Sequence, residues 1–381
     1  MRNLLLLFAL LLLSCKSENK KSEQSIELPK VEQIAVKYAN GFSIEKSGDI
    51  TILSISSPWP NSESAFTYAL IPKAKMAAMT LNVDAYDAII GTPVDNIVVT
   101  STTHIPALEA LGVLDKLRGF PDTQYISSVK TRKLIADGKI KELGSNHSLN
   151  TEMVIELKPE VVIGFSISSE NKAYETLSHA KILVVYNGDW TEQTPLGKAE
   201  WIKFFAPFFE LDDKANSLFN EIESSYLAVK ELAKKAKTKP TVLSGALYKD
   251  VWYLPGGGSW AAQFIEDANA DYLYKETTET GSLSLGIEAI LTKAKNAEFW
   301  ISPSQFTAYN EMEKAGRHYS QFDAFQSKNL YTFAKTKGET DGLLYFELAP
   351  NRPDLVLKDL VHIFHPDLLP NHNPFFFKPL D

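Results

Sequence analysis

The sequence predicts an α/β protein: two lobes joined by one long helix, with a small β-hairpin extension ahead of them. Three observations carry this. From about residue 94 to residue 207, short apolar runs alternate with helical stretches. The same alternation resumes after Pro240. Between them, residues 212–237 hold a helical repeat with neither Gly nor Pro. Strands alternating with helices build mainly parallel sheets covered on both faces, and each such region makes one layered lobe.

The chain opens with Met1-Arg2-Asn3, an unbroken apolar run over residues 4–13, then Ser14 and Cys15. A basic start, a short apolar core and a small residue before the cut are the parts of a secretory signal. As a helix the run spans roughly 15 Å, about half a bilayer core, which excludes a membrane span. Leu12-Leu13-Ser14-Cys15 resembles a bacterial lipobox, so residues 1–14 are expected to be removed and Cys15 acylated. Residues 15–33 are mainly polar and read as a flexible tether. Residues 34–92 alternate like strands, as in Ile50-Thr51-Ile52-Leu53-Ser54-Ile55, and are punctuated by Gly48-Asp49 and by Pro58 to Asn61.

The first lobe is assigned to residues 93–207. Its apolar strands are Ile97-Val98-Val99, Val161-Val162-Ile163 and Ile182-Leu183-Val184-Val185. The backbone helix, within residues 208–238, places Leu218, Phe219, Ile222, Tyr226, Val229 and Leu232 at three- and four-residue steps. Asp212-Asp213 opens it and Lys234-Lys235 closes it, matching the helix dipole. At roughly 39 Å, residues 212–237 can act as a rigid spine. The second lobe, residues 239–381, has strands at Thr241-Val242-Leu243, Val251-Trp252-Tyr253-Leu254, Phe299-Trp300-Ile301 and Leu330-Tyr331-Thr332-Phe333. A closing helix runs over residues 354–364.

Composition narrows the function. Cys15 is the only cysteine of 381 residues, which excludes intrachain disulfides, cysteine-ligated clusters and a second thiol. A net charge of −8 argues against a nucleic-acid partner. Hydrophobic residues at 44 % and aromatics at 11 % describe a globular chain, read here as a monomer with no resident cofactor or metal.

One element recurs. Asn150-Thr151-Glu152 opens a short helix that feeds strand 161–163, and Ile287-Glu288-Ala289 opens one that feeds strand 299–301. Two related lobes create one cleft, and in open α/β sheets the ligand crevice lies beyond the carboxyl ends of the strands. The loops in those places contain Ser101, Thr102, Thr103 and His104, then Phe165, then Tyr186 and Trp190. In the second lobe they contain Gly257 and Trp260, with Trp252 and Tyr253 on the strand before. Hydroxyls, aromatics and glycines with few charges suit a bulky, partly apolar ligand with polar edges. Trp190, Trp252, Tyr253 and Trp260 offer stacking faces, and Arg352 a fixed cation.

The ordered set of lipobox, β extension, lobe, long helix and lobe resembles the periplasmic-binding proteins for iron–siderophores and cobalamin, more narrowly their Bacteroidetes-type lipoproteins. Four stretches carry the likeness: residues 96–104, 149–163, 192–202 and 352–360. The resemblance implies two Rossmann-like lobes on a rigid backbone helix and a shallow cleft with limited hinge motion. It also implies delivery of the ligand to an ABC permease and its ATPase from a lipid-anchored position facing the periplasm. An iron–siderophore is the first ligand it implies, then cobalamin, then haem. In cobalamin-binding relatives, first-turn glutamates of both lobes pair with permease arginines, which maps docking onto Glu152 and Glu288.

Rival chemistries are weaker. Gly256-Gly257-Gly258-Ser259-Trp260-Ala261 has the spacing of a dinucleotide fingerprint, but it does not follow the first strand of its lobe. His362 and His365 could chelate a bare zinc or manganese ion, yet they sit at a helix end far from the cleft loops. Ser244 and Ser259 lack a nucleophile-elbow context, and Asp341 with Glu347 is a carboxylate pair to which nothing assigns catalysis. The chain is therefore read as a binder and not an enzyme.

Overall fold

A computed structural model describes residues 31–381. The signal segment, Cys15 and most of the expected tether lie outside the described residues.

The extension is larger than a hairpin. Val31–Ile34, Phe42–Ser47, Ile50–Ile55 and Phe66–Pro72 succeed one another antiparallel, and Ala88–Thr92 adds a parallel fifth strand. The first strand takes residues that the polar composition had placed in the tether. Phe42, Ile44, Leu53, Ile55 and Tyr68 share a continuous core with the first lobe. Two carboxylates fasten the extension down. Glu200, fully buried, accepts the backbone N–H groups of Lys37, Tyr38 and Ala39 and pairs with Lys203 at 2.8 Å. Glu192 accepts those of Asn40 and Gly41, both at 2.8 Å.

The first lobe holds five parallel strands in the order Val184–Tyr186, Val161–Gly164, Ile97–Val99, Leu117–Phe120, Lys141–Glu142. Around it lie α1 (His104–Leu111), α2 (Val129–Ala136), α3 (Thr151–Leu157) and α4 (Pro195–Glu200). The spine, α5 (Asp212–Ala233), is capped short of the sequence estimate. Ala215 and Phe219 pack into the first lobe, whereas Tyr226, Val229 and Ala233 pack into the second. Lys214 Nζ donates to the Leu111 carbonyl, and Tyr226 donates to Asp267. One helix is thus bonded to both lobes, which makes it a strut.

The second lobe contains α6 (Trp260–Asp267), α7 (Ile287–Ala294), α8 (Leu344–Leu348) and α9 (Pro353–Phe364). Its sheet runs Asp271–Tyr272, Thr241–Ser244, Phe299–Ile301, Leu330–Thr332, with Lys378–Pro379 as an antiparallel edge. In each lobe the strand fed by α3 or α7 lies on one side of the first strand, and the lobe's second strand lies on the other. The recurrence seen in the sequence is therefore also topological. Trp252 belongs to neither parallel sheet. Its strand, Val251–Pro255, joins Ala246–Tyr248 and Ser282–Leu285 in a separate three-stranded sheet.

Candidate ligand cleft

The carboxyl ends of both parallel sheets face one inter-lobe cleft. Its first-lobe side is a cavity of about 410 Å³ lined by Thr100, Ser101, Thr102, Phe120, Asp122, Tyr125 and Phe165, with Gln305, Lys337, Asp341 and Phe346 across from them. A second cavity of about 300 Å³ continues into the other lobe between Trp260, Phe333 and Tyr345, and Phe346 lines both. Phe346 and Tyr125 are exposed at 53 % and 57 %, so apolar area is open to a ligand.

A closed hydrogen-bond ring sets the position of Phe165. Its N–H donates to Thr100 Oγ1 at 2.9 Å, the Thr100 hydroxyl lies 3.0 Å from Tyr174 Oη, and Tyr174 donates to the Phe165 carbonyl at 2.8 Å. Gly164 makes room, since a Cβ there would lie 2.8 Å from the Tyr174 ring. Trp190 stands edge-on to Phe165, with centroids 5.5 Å apart. Opposite, Trp260 stacks on Tyr345 at 5.9 Å and receives Lys198 Nζ 5.3 Å from its ring centre. Lys198 also donates to the carbonyls of Asp189 and Trp190, so one buried ammonium joins the lobes. Burial holds that ammonium below the usual lysine range.

Of the residues singled out in the sequence, Ser101, Thr102, Phe165 and Trp260 line the cleft, and Trp190 backs Phe165. The others do not reach it. His104 is fully buried against Phe205, and burial holds its ring below the usual histidine range. Thr103 turns its carbonyl to Asn351 Nδ2 at 2.9 Å. Tyr186 packs on Trp59 and Phe66 of the extension. Trp252 is fully buried on Trp300, and Tyr253 is exposed on the small sheet beside Tyr248. Gly257 serves its own chain: its N–H donates to Thr277 Oγ1, and a Cβ would lie 2.3 Å from the Thr277 carbonyl. Arg352 is held bidentately by Asp354 at 2.8 and 2.9 Å and lines a different groove. Which way each of these side chains turns is a tertiary outcome that spacing alone does not reveal. Gln305, in the loop after strand 299–301, lies where the sequence also places a cleft loop, whereas Tyr125, Lys337 and Phe346 were missed because they lie in a one-turn helix, a loop and a five-residue helix too short to show periodicity.

Glu152 and Glu288 stand exposed in the first turns of α3 and α7, neither in an ion pair among the described residues. Among the described residues no group of three or more His, Cys, Asp or Glu side chains is placed to hold a metal ion.

The sequence matches the family model "Periplasmic binding protein" over residues 97–336. The chain belongs to the periplasmic binding protein family. Its members bind solutes and do not turn them over. An uncharacterized lipoprotein of Methanocaldococcus jannaschii is 27 % identical over 300 residues, 76 % of this chain and 69 % of that one. A possible iron-binding periplasmic solute-binding protein of Staphylococcus epidermidis shares the fold at 20 % identity and TM-score 0.56, covering 72 % of this chain and all of the other. The periplasmic heme binding protein of Vibrio cholerae does so at 17 % identity and TM-score 0.54, covering 69 % and 99 %. As a periplasmic binding protein, this chain is a binding component of ABC-transporter type. The family match begins at the first strand of the first lobe, so the five-stranded extension precedes the shared part.

Proposed function

We propose that this periplasmic binding protein captures a metal chelate of low net charge in the front cleft and hands it to an ABC permease. In this reading acylated Cys15 tethers the protein to a membrane, and Glu152 and Glu288 meet the two permease subunits. The observation that carries the ligand class is the charge of the lining. Asp122, Lys337 and Asp341 are the charged side chains of the front cavity, and Lys337 lies 3.8 Å from Asp341. Among the described residues no arginine lines either part of the cleft. An anionic chelate would meet more negative than positive charge there, whereas aromatic walls and hydroxyl edges suit a neutral complex.

A ferric trihydroxamate, whose three anionic groups cancel the iron charge, is the first candidate, and a corrinoid with its amide rim is the second. Haem presents two carboxylates that the cleft has no guanidinium to receive. Trp260 lines the cleft and Trp190 stands behind Phe165, so both are placed to report binding. Tryptophan fluorescence is titrated with a neutral ferric trihydroxamate, a ferric tricatecholate, cyanocobalamin and haemin. Quenching by the trihydroxamate or the corrinoid at micromolar concentration or below is expected. Silence from all four overturns the chelate reading, and tightest binding of the tricatecholate or haemin overturns the low-charge reading.

A further inference from the structure

The lobes touch at two separate places. Near the spine, α4 packs on α6 and α9, with Lys198 over Trp260. Farther out, the segment 337–348 leaves the second lobe and lies on the loop 123–128 of the first. A groove of about 1000 Å³, floored by Leu218 and Ile222 of the spine, separates the two joints.

The outer joint carries nearly all the direct hydrogen bonds between the lobes among the described residues. Thr340 Oγ1 donates to the Gln124 carbonyl at 2.7 Å, and Ser127 Oγ donates to the Gly342 carbonyl at 2.9 Å. Glu347 accepts the N–H of Ser127 at 2.5 Å on one oxygen and that of Ser128 at 2.9 Å on the other. Asn351 to Thr103 is the one bond outside this segment. Close approach is built in, because a Cβ on Gly342 would lie 2.4 Å from the Tyr125 carbonyl and one on Gly338 2.6 Å from Ser127 Cα.

We propose that segment 337–348 is a strap whose Glu347 latches the lobes together and gates release of the ligand from the front cleft. This rests on the reading that the front cleft holds the chelate. Three features favour a latch over a passive contact. Glu347 is 2 % exposed and in no ion pair among the described residues, so only the backbone amides at the start of α2 hold its carboxylate. A buried carboxylate held this way sits close to energetic balance, since desolvation offsets most of what the bonds return. An apolar contact of the same shape at this place would hold the lobes more firmly. The strap is also the cleft wall: Leu343 and Phe346 face the ligand cavity, Leu344 and Glu347 face the groove behind, and Lys337 lines both. Finally, the open groove between the joints leaves room for the strap to lift while the spine-side joint stays packed.

The full chain carrying Cys15→Ser is labelled with spin probes at Asp137→Cys and Glu313→Cys, both exposed positions, one in each lobe. Distances are measured without ligand, so this arm does not depend on what binds. Glu347→Ala is expected to shift the population to longer distances. Gly342→Ala, which wedges the strap off Tyr125 and keeps the carboxylate, is expected to do the same. Dissociation of whichever of the four probes binds should quicken about tenfold in both, the loss expected for one or two hydrogen bonds. Unchanged distances overturn the latch, and longer distances without faster release overturn the gating. If Glu347→Ala has no cooperative melt, Gly342→Ala decides alone. If no probe binds, the chelate reading fails while the distances still judge the latch.

Discussion

Three carboxylates do similar work at different joints of the molecule, and each is spent on backbone amides. Glu200 holds the extension, Asp359 collects the N–H groups of Phe375, Phe376 and Phe377 to fix the C-terminal tail, and Glu347 bridges the lobes. Each carboxyl offers two acceptor oxygens and so takes several N–H groups at once. Removing Glu200 would leave three amides and the ammonium of Lys203 buried without it. Glu200→Ala should therefore destabilise the first lobe by about 3–5 kcal/mol, as when one partner of a buried pair is lost. Urea unfolding checks this: the midpoint should fall, and a change under 1 kcal/mol would remove Glu200 from this role. None of this was legible in the sequence, where Glu200 lies in one of the four stretches that carry the family likeness and has no role assigned to it. A side chain's type does not say which backbone it will meet.

At the scale of elements, legibility followed periodicity. The spine, the strand pairs of both lobes and the recurrence of α3 and α7 could all be read, because a long amphipathic repeat and short apolar runs leave local signatures. The strand Val31–Ile34 could not, since it is polar and edge-bound, and its stability comes from pairing with Phe42–Ser47. The same reasoning separates the site residues. Ser101, Thr102 and Phe165 directly follow strands and were legible, whereas Phe346, in the short helix α8, and Lys337, in the loop before it, reach the cleft only through the tertiary fold. Helices α3 and α7 carry the docking proposal. Each presents an exposed glutamate in its first turn, where the helix dipole alone accounts for about 0.3–1 kcal/mol of preference. Charges on an exposed rim set association rate and register more than ligand affinity. Glu152→Ala combined with Glu288→Ala should leave the fluorescence titration unchanged and lower uptake by transporter vesicles severalfold. Normal uptake, or a matching loss of ligand affinity, would remove these residues from docking.

For the whole molecule, the two-joint geometry turns one titration into a change of shape. Burial raises the Glu347 carboxyl from 4.5 to about 7, against the lowering effect of the Ser127 and Ser128 amides. Glu109 of α1 adds to the rise and is itself bonded to Lys130 of α2 at 3.0 Å. Arg132 of α2, Glu221 of the spine, Lys337 and Glu339 of the strap, and the Arg352–Asp354 pair with Lys358 at the start of α9 complete the charged surroundings. With the strap lifted, Glu347 is in water and releases its proton near 4.5. With the strap latched, it keeps the proton to about 7. Between those values the latched state binds the proton that the open state has released, so acid favours the latch. Raising the pH through this window removes that advantage, at most about 3 kcal/mol in all, and the loss is complete above pH 7. The spin-label distance should therefore be shortest at pH 5 and lengthen by pH 8. Glu347→Gln, which keeps the shape but cannot ionise, should give the same distance at both. A wild-type distance that does not move, or a Gln variant that moves equally, would assign the pH response to another group. The outcome also bears on transport, because a cleft that loosens as Glu347 ionises would release its chelate faster at pH 8 than at pH 5.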